Sequence, residues 1–146
     1  MKALGRTLLL VVSGVLAGCG DAPSLVGSWK TPYVSNGAAA GTLTLTLSPG
    51  GTASKAIAGT GPCAGTLSLS SWQWTSTVTT IDYTGTATCT GMLACMDCKA
   101  ATSAGLLAAR TDPYALSADG NTLTIMTTAS GVESATVYTR VILVND

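Results

Sequence analysis

The feature that most constrains this fold is a strict alternation of apolar and polar residues within short segments. Residues 42–47 alternate Thr with Leu, so Leu43, Leu45 and Leu47 share one face of an extended chain. Such a period of two predicts a β-strand with one buried face and one solvent-facing side. The Ser-Pro-Gly-Gly segment at 48–51 follows at once and is typical of a tight turn. We therefore expect the core of this protein to be built from strands.

Seven further segments have strand character, which brings the predicted total to about eight. The composition agrees, because the chain has 24 Thr, which favours strands, and 17 Gly, which favours turns. In one segment the apolar phase changes at Ser70-Ser71, so we expect a β-bulge there. An Asp-Gly pair within 118–121 predicts a hairpin turn. The seven segments are residues 25–30, 52–58, 65–74, 77–88, 114–117, 122–127 and 134–144.

A closed barrel is the arrangement that these strands favour. An open sheet leaves two unpaired edges, whereas a barrel leaves none. We predict an all-β fold, a small antiparallel up-and-down barrel of about eight strands, whose interior holds side chains or one small ligand. The exception is segment 91–110, which is rich in Ala, Leu and Met, lacks strand alternation and predicts a short helix or a loop insert.

The first eighteen residues have the character of an export signal. Lys2 and Arg6 precede an apolar stretch, and small residues follow it, as at a cleavage site. This stretch is shorter than the roughly 20 residues that a membrane-spanning helix needs. Leu16-Ala17-Gly18-Cys19 resembles the lipobox of bacterial lipoproteins. In that family the Cys becomes the first residue of the mature protein and carries the lipid, palmitate included.

By this resemblance the chain has three parts. Residues 1–18 are a signal peptide, residues 19–24 are a tether lipidated at Cys19, and residues 25–146 form the barrel domain. The residue after the lipidated Cys influences sorting, and Gly20 there implies the outer membrane and the periplasm. Asp21 leaves the inner membrane as an alternative. The other interpretation is an ordinary secreted protein in which Cys19 is a spare thiol.

The charges and missing residue types argue against several functions. Seven Lys and Arg balance seven Asp and Glu, which is a poor basis for binding nucleic acid. The absence of His removes the commonest general base and the commonest metal ligand. None of Lys30, Lys55 and Lys99 follows a Ser by three positions, as a Ser–Lys dyad would require. We therefore expect no enzyme, no metal and no cofactor.

Four Cys remain in the mature chain, and an even number in an exported domain predicts disulfides. The favoured pairing is Cys63 with Cys89 and Cys95 with Cys98, because a hairpin would bring the first two together. The C-x-x-C motif at 95–98 leaves a redox role as an alternative, which Asp97 between the thiols disfavours. Four thiolates around zinc are a further alternative.

Three short motifs resemble the lipocalin-like domains of bacterial lipoproteins. They are the Gly-x-Trp that ends at Trp29, the turn and strand over 118–125, and the closing segment that ends at Arg140. In lipocalins a Trp on the first strand packs beneath the barrel floor against an Arg from near the end. The resemblance implies this structural role for Trp29 and Arg140. It also implies binding of a small apolar ligand, although the short chain and the Cys-rich insert depart from the family.

The interior residues decide between a binding module and a filled barrel. Trp72 and Trp74 share one strand face and are candidate ligand contacts, or else core or rim residues. Arg140 is the only inward cation that the pattern indicates, so we expect a neutral or weakly polar apolar ligand. The alternative is a structural or adaptor module of the envelope without a ligand. Its barrel would be filled by side chains such as Leu43, Leu45, Ile81, Leu123 and Ile125.

Overall fold

The computed structural model describes residues 23–129 and 131–142, so the signal segment and Cys19 lie outside the described residues. It confirms an all-β fold with a closed barrel of eight antiparallel strands, one extra strand and a short helix. The strands are β1 (Gly27–Ser35), β2 (Ala38–Leu47), β3 (Thr52–Gly59), β4 (Gly65–Ser76), β5 (Thr80–Thr84), β6 (Thr88–Leu93), β7 (Arg110–Leu116), β8 (Thr122–Ala129) and β9 (Val132–Arg140). The helix α1 is Cys98–Ser103.

The ring closes through two long-range pairings. Its strand order is β3, β2, β1, β9, β8, β7, β5, β4, and β4 returns to pair with β3. The first and last strands meet over Trp29↔Arg140 and Lys30↔Thr139. The alternation noted in β2 sets the register, because Leu43 lies opposite Ile57 and Leu47 lies opposite Ala53 on the inner face. A single core therefore fills the inside of the ring.

Two tight turns mark the two ends of the barrel, one turn at each end. Asn36 and Gly37 both have positive φ, at 50° and 78°, so they form the two-residue loop that joins β1 to β2. The predicted hairpin turn at 118–121 is confirmed between β7 and β8. There the amide of Ser117 donates to the carbonyl of Thr122 at 2.9 Å. The Asn-Gly loop lies at the end that we call the open end, and the 118–121 turn lies at the opposite, closed end.

The predicted bulge in β4 is confirmed. Ser71 has a φ of 74°, and the pairing with β3 shifts by one residue between Ala53↔Trp72 and Lys55↔Leu69. The extra residue keeps Leu67, Leu69 and Trp72 all buried despite their change of phase. On its other side, β4 pairs with β6 through its first half and with β5 through its second half.

The prediction of one strand over 77–88 is wrong, because the chain forms β5, breaks, and continues as β6. The break covers Gly85, with a φ of 79°, and the buried Ala87. β7 pairs with β5 within the ring, whereas β6 is the extra strand, which pairs with β4 and leads into the insert. The expectation of a short helix or loop over 91–110 is confirmed, since the segment contains the end of β6 and α1. The Asp97 carboxylate caps α1 by accepting from the amide of Ala100 at 2.7 Å.

Candidate functional site

The closed end of the barrel is held by Trp29 and Arg140. The guanidinium carbon of Arg140 lies 4.2 Å from the centroid of the fully buried Trp29 ring. The guanidinium donates to the carbonyls of Gly120 at 2.7 Å, Val26 at 2.9 Å, and Ser24. The indole N–H of Trp29 donates to the carbonyl of Leu25 at 2.9 Å. These contacts tie the start of the domain to the last strand.

An apolar cavity of about 260 Å³ lies toward the open end. It is smaller than the roughly 300–1,000 Å³ of drug-sized sites, but it exceeds the gaps of a well-packed core. Four of the five core residues named as fillers are buried, whereas Leu43 lines this space and does not fill it. The core therefore fills most of the ring but leaves this space beside Leu43. The wall consists of Tyr33, Leu43, Lys55, Ile57, Leu69, Met96, Leu106 and Arg110.

A wider and more polar hollow of about 450 Å³ adjoins the cavity. Leu43, Lys55, Leu106 and Arg110 line both spaces and so form the boundary between them. The rest of its wall includes Asp112 of β7 and three Thr residues of β8 and β9. The site thus has an apolar inner part, a cationic boundary and a polar outer part.

Of the two cations at the boundary, Lys55 is the one without a carboxylate partner among the described residues. Its side chain is partly buried, and desolvation by burial, together with the nearby Arg110, lowers its pKa to about 7. Arg110 is held differently, because its Nε lies 2.8 Å from Oδ2 of the buried Asp112. This contact is the single salt bridge in the described part of the chain, so Lys55 has no carboxylate within 4.0 Å there.

Two buried tyrosines complete the polar layer. The ring centroid of Tyr83 lies 5.1 Å from the Arg110 guanidinium and 5.7 Å from Nζ of Lys55. Its hydroxyl is buried without a hydrogen-bond partner, and burial raises the Tyr83 pKa well above its ordinary value. Burial likewise raises the pKa of Tyr138 to about 12. Both hydroxyls therefore stay protonated at neutral pH.

The expectation of a single inward cation is wrong, because Lys55 and Arg110 both face the interior. The signal was present in β3, where Ala53 and Ile57 share the parity of Lys55, and Leu45 pairs with Lys55 across the sheet. Similarly, β9 turns Tyr138 and Arg140 inward and leaves Val137 half exposed. The aliphatic face of β9 is thus the outer face.

Trp72 and Trp74 do not belong to the cavity wall. The fully buried Trp72 lies one layer behind it, with its ring centroid 5.8 Å from the Arg110 guanidinium and its indole N–H donating to the carbonyl of Leu107. Trp74 donates to the carbonyl of Ser48 at 3.0 Å, toward the closed end. The prediction that these indoles contact a ligand stays a prediction, and Trp72 is the nearer of the two to the site.

Two disulfides hold the insert over the open end, but the favoured pairing is wrong. The bridges are Cys63–Cys95 and Cys89–Cys98. The hairpin argument failed because the break between β5 and β6 sets Cys89 opposite Leu69 rather than beside Cys63. The two Cys of the C-x-x-C motif therefore bridge to different elements. The insert so fixed contributes Met96 and Leu106 to the cavity wall.

The seam between β1 and β9 opens beside the cavity. The carbonyl of Ser28 accepts from the amide of Val141 at 2.8 Å, so even-numbered residues of β1 turn their backbone polar groups toward β9. Pro32 lies in that row without an N–H, and the pairing ends one step earlier, at Lys30. Beyond it lies a hollow of about 490 Å³, which shares Tyr33 and Leu43 with the cavity.

The fold is a small closed antiparallel β-barrel, consistent with a lipocalin-like architecture, with an apolar cavity toward one end. A scan against protein-family models finds no match, and searches of curated proteins and of solved structures find none. No helix within residues 23–129 and 131–142 is long and apolar enough to cross a membrane.

Proposed function

We propose that this chain is a lipid-anchored protein of the cell envelope whose barrel binds a small, mainly apolar ligand. The observation that carries the proposal is the cavity of about 260 Å³ under the insert, which a filled barrel would lack. Burying an apolar tail there gains about 25 cal/mol for each Å² removed from water. The proposed role is binding and not catalysis. If no ligand binds, the alternative of a structural or adaptor module of the envelope is favoured.

The lipid anchor and the cavity lie toward opposite ends of the domain in this proposal. Arg140 donates hydrogen bonds to the carbonyls of Ser24 and Val26 at the closed end, where the tether ends. From Cys19 to Ser24 the chain spans at most about 18 Å when fully extended. A lipidated Cys19 would therefore keep the closed end near the membrane surface and turn the open end away from it.

Ligand binding is tested by tryptophan fluorescence during titration of the purified, delipidated mature protein with fatty acids and retinoids. We expect a saturable change, because Arg110 lines the cavity and also covers Trp72. The change should be lost in Trp72→Phe and kept in Trp74→Phe, whose indole lies toward the closed end. A folded protein that shows no saturable change with any probe would favour the structural module.

The anchor is tested by fractionation of cells that produce the Cys19→Ala variant. We expect the wild-type protein in the membrane fraction with the mass of the attached lipid, and we expect the variant to lose both. Cys89→Ala serves as the control, because it also replaces one Cys by Ala but leaves the lipobox intact. A variant at Cys19 that remains in the membrane with unchanged mass would contradict lipidation at this residue.

A further inference from the structure

We infer that the ligand is an amphiphile with one carboxylate, which lies between Lys55 and Arg110 while its apolar tail fills the inner cavity. This inference rests on the proposed function and names the class of ligand for the same site. It replaces the expectation of a neutral ligand, which depended on a barrel interior without inward cations other than Arg140.

The position of the two cations carries the first step. Lys55 and Arg110 each line both the apolar cavity and the polar hollow that adjoins it. A charged group between them would therefore have apolar surface on one side and, on the other, the hollow lined by Asp112 and several Thr side chains. Only a molecule with a polar end and an apolar end matches both environments at once.

The charge balance carries the second step. Asp112 is paired with Arg110 at 2.8 Å, which leaves one excess positive charge, that of Lys55. A buried charge without a partner is costly, and an anion that supplies the partner recovers much of that cost. The ring of Tyr83 lies behind the two cations, 5.7 Å from Nζ of Lys55 and 5.1 Å from the Arg110 guanidinium, and its protonated hydroxyl adds no negative charge. The excess positive charge at this boundary therefore favours a ligand that carries negative charge.

The size of the cavity carries the third step. A volume of about 260 Å³ has room for about nine methylene-sized groups, if each takes roughly the 30 Å³ of one water molecule. The inner wall offers Ile57, Leu69, Met96 and other apolar side chains to such a tail. The seven-carbon tail of octanoate fits within this number of groups, so octanoate is a suitable probe. Octanol and octylamine differ from it only in the head group.

The test compares the affinities of these three probes by calorimetry at pH 6, where Lys55 is protonated and octanoate is ionised. We expect octanoate to bind about ten- to hundredfold more tightly than octanol, which is the value of one charge-assisted hydrogen bond. Octylamine should bind most weakly. In Lys55→Met we expect octanoate to lose its advantage over octanol, while the affinity for octanol stays the same. Lys30→Met is the matched control, because Lys30 is exposed on the outside of β1.

The outcomes separate the inference from the proposed function. If octanol binds as tightly as octanoate, or if Lys55→Met keeps the preference, the carboxylate site is wrong and apolar binding stands. If none of the three probes binds to the folded wild-type protein, the binding function fails and the inference fails with it. Loss of the preference in Lys30→Met would also overturn the inference, because it would show that overall charge and not the site attracts the anion.

Discussion

Replacing Cys63 and Cys95 together by Ala is expected to lower the free energy of unfolding by about 4 kcal/mol. The bridge spans 32 residues, and the chain-entropy relation assigns a loop of that length about this value. The second bridge spans 9 residues, for which the same relation assigns about 3 kcal/mol to the pair Cys89 and Cys98. Small domains are stable by only about 5–15 kcal/mol, so loss of both bridges should threaten the fold. Urea denaturation monitored by fluorescence measures each change.

Single Cys→Ala variants test the pairing. In Cys63→Ala the thiol that becomes free to alkylation should be Cys95, and in Cys98→Ala it should be Cys89. If Cys63→Ala frees Cys89 instead, the pairing reported above is wrong. A change below about 1 kcal/mol in the Cys63 and Cys95 double variant would show that the insert is held by packing and not by its bridge.

Raising the pH from about 7 to about 10 is expected to stabilise the protein. Burial lowers the pKa of Lys55 to about 7 in the folded state, against about 10.4 in an unfolded chain. Between these values the unfolded state binds a proton that the folded state has lost, so the free energy of unfolding rises with pH. The full effect is about 5 kcal/mol, of which roughly 3–4 kcal/mol falls between pH 7 and pH 10. Above pH 10 the trend should reverse, because Tyr83 and Tyr138 have raised pKa values and ionise first in the unfolded state.

Lys55→Met isolates this effect. The variant should be more stable than the wild type at pH 7, and its advantage should shrink toward pH 10, as urea denaturation at a series of pH values would show. Lys30→Met should keep the pH dependence of the wild type, since this side chain is exposed. If the free energy of unfolding rises equally with pH in the wild type and in Lys55→Met between pH 7 and pH 10, Lys55 does not lose its proton at a lower pH in the folded state.

The barrel could be predicted because the large apolar residues of most strands occur at a period of two. Leu43, Leu45 and Leu47 set the inner face of β2, and the change of phase at Ser70-Ser71 announced the bulge that Ser71 adopts. The Asn36-Gly37 turn was overlooked, although its residue types favour positive φ in a two-residue loop. The break at Gly85 was harder to foresee, since the alternation continues through it.

The site was harder to predict because its key residues break the apolar pattern. Lys55 shares the inward parity of Ile57 in β3, and Arg110 shares that of the buried Asp112 in β7, so only the register of these strands reveals their direction. A pattern of hydropathy alone assigns such cations to the outer face. The disulfide pairing depends on where the insert returns over β6, and local spacing does not determine that path.

The cavity under the insert is the proposed binding site, and a variant that fills this cavity tests the proposal most directly. Leu43 lines the cavity and is only partly buried, so Leu43→Trp should project an indole into the space with little strain on the core. Calorimetric titration with octanoate should give one site per chain in the wild type and in Val78→Trp, whose side chain is 90% exposed. We predict no measurable binding in Leu43→Trp at an unchanged melting temperature. Undiminished binding in that variant would contradict the account.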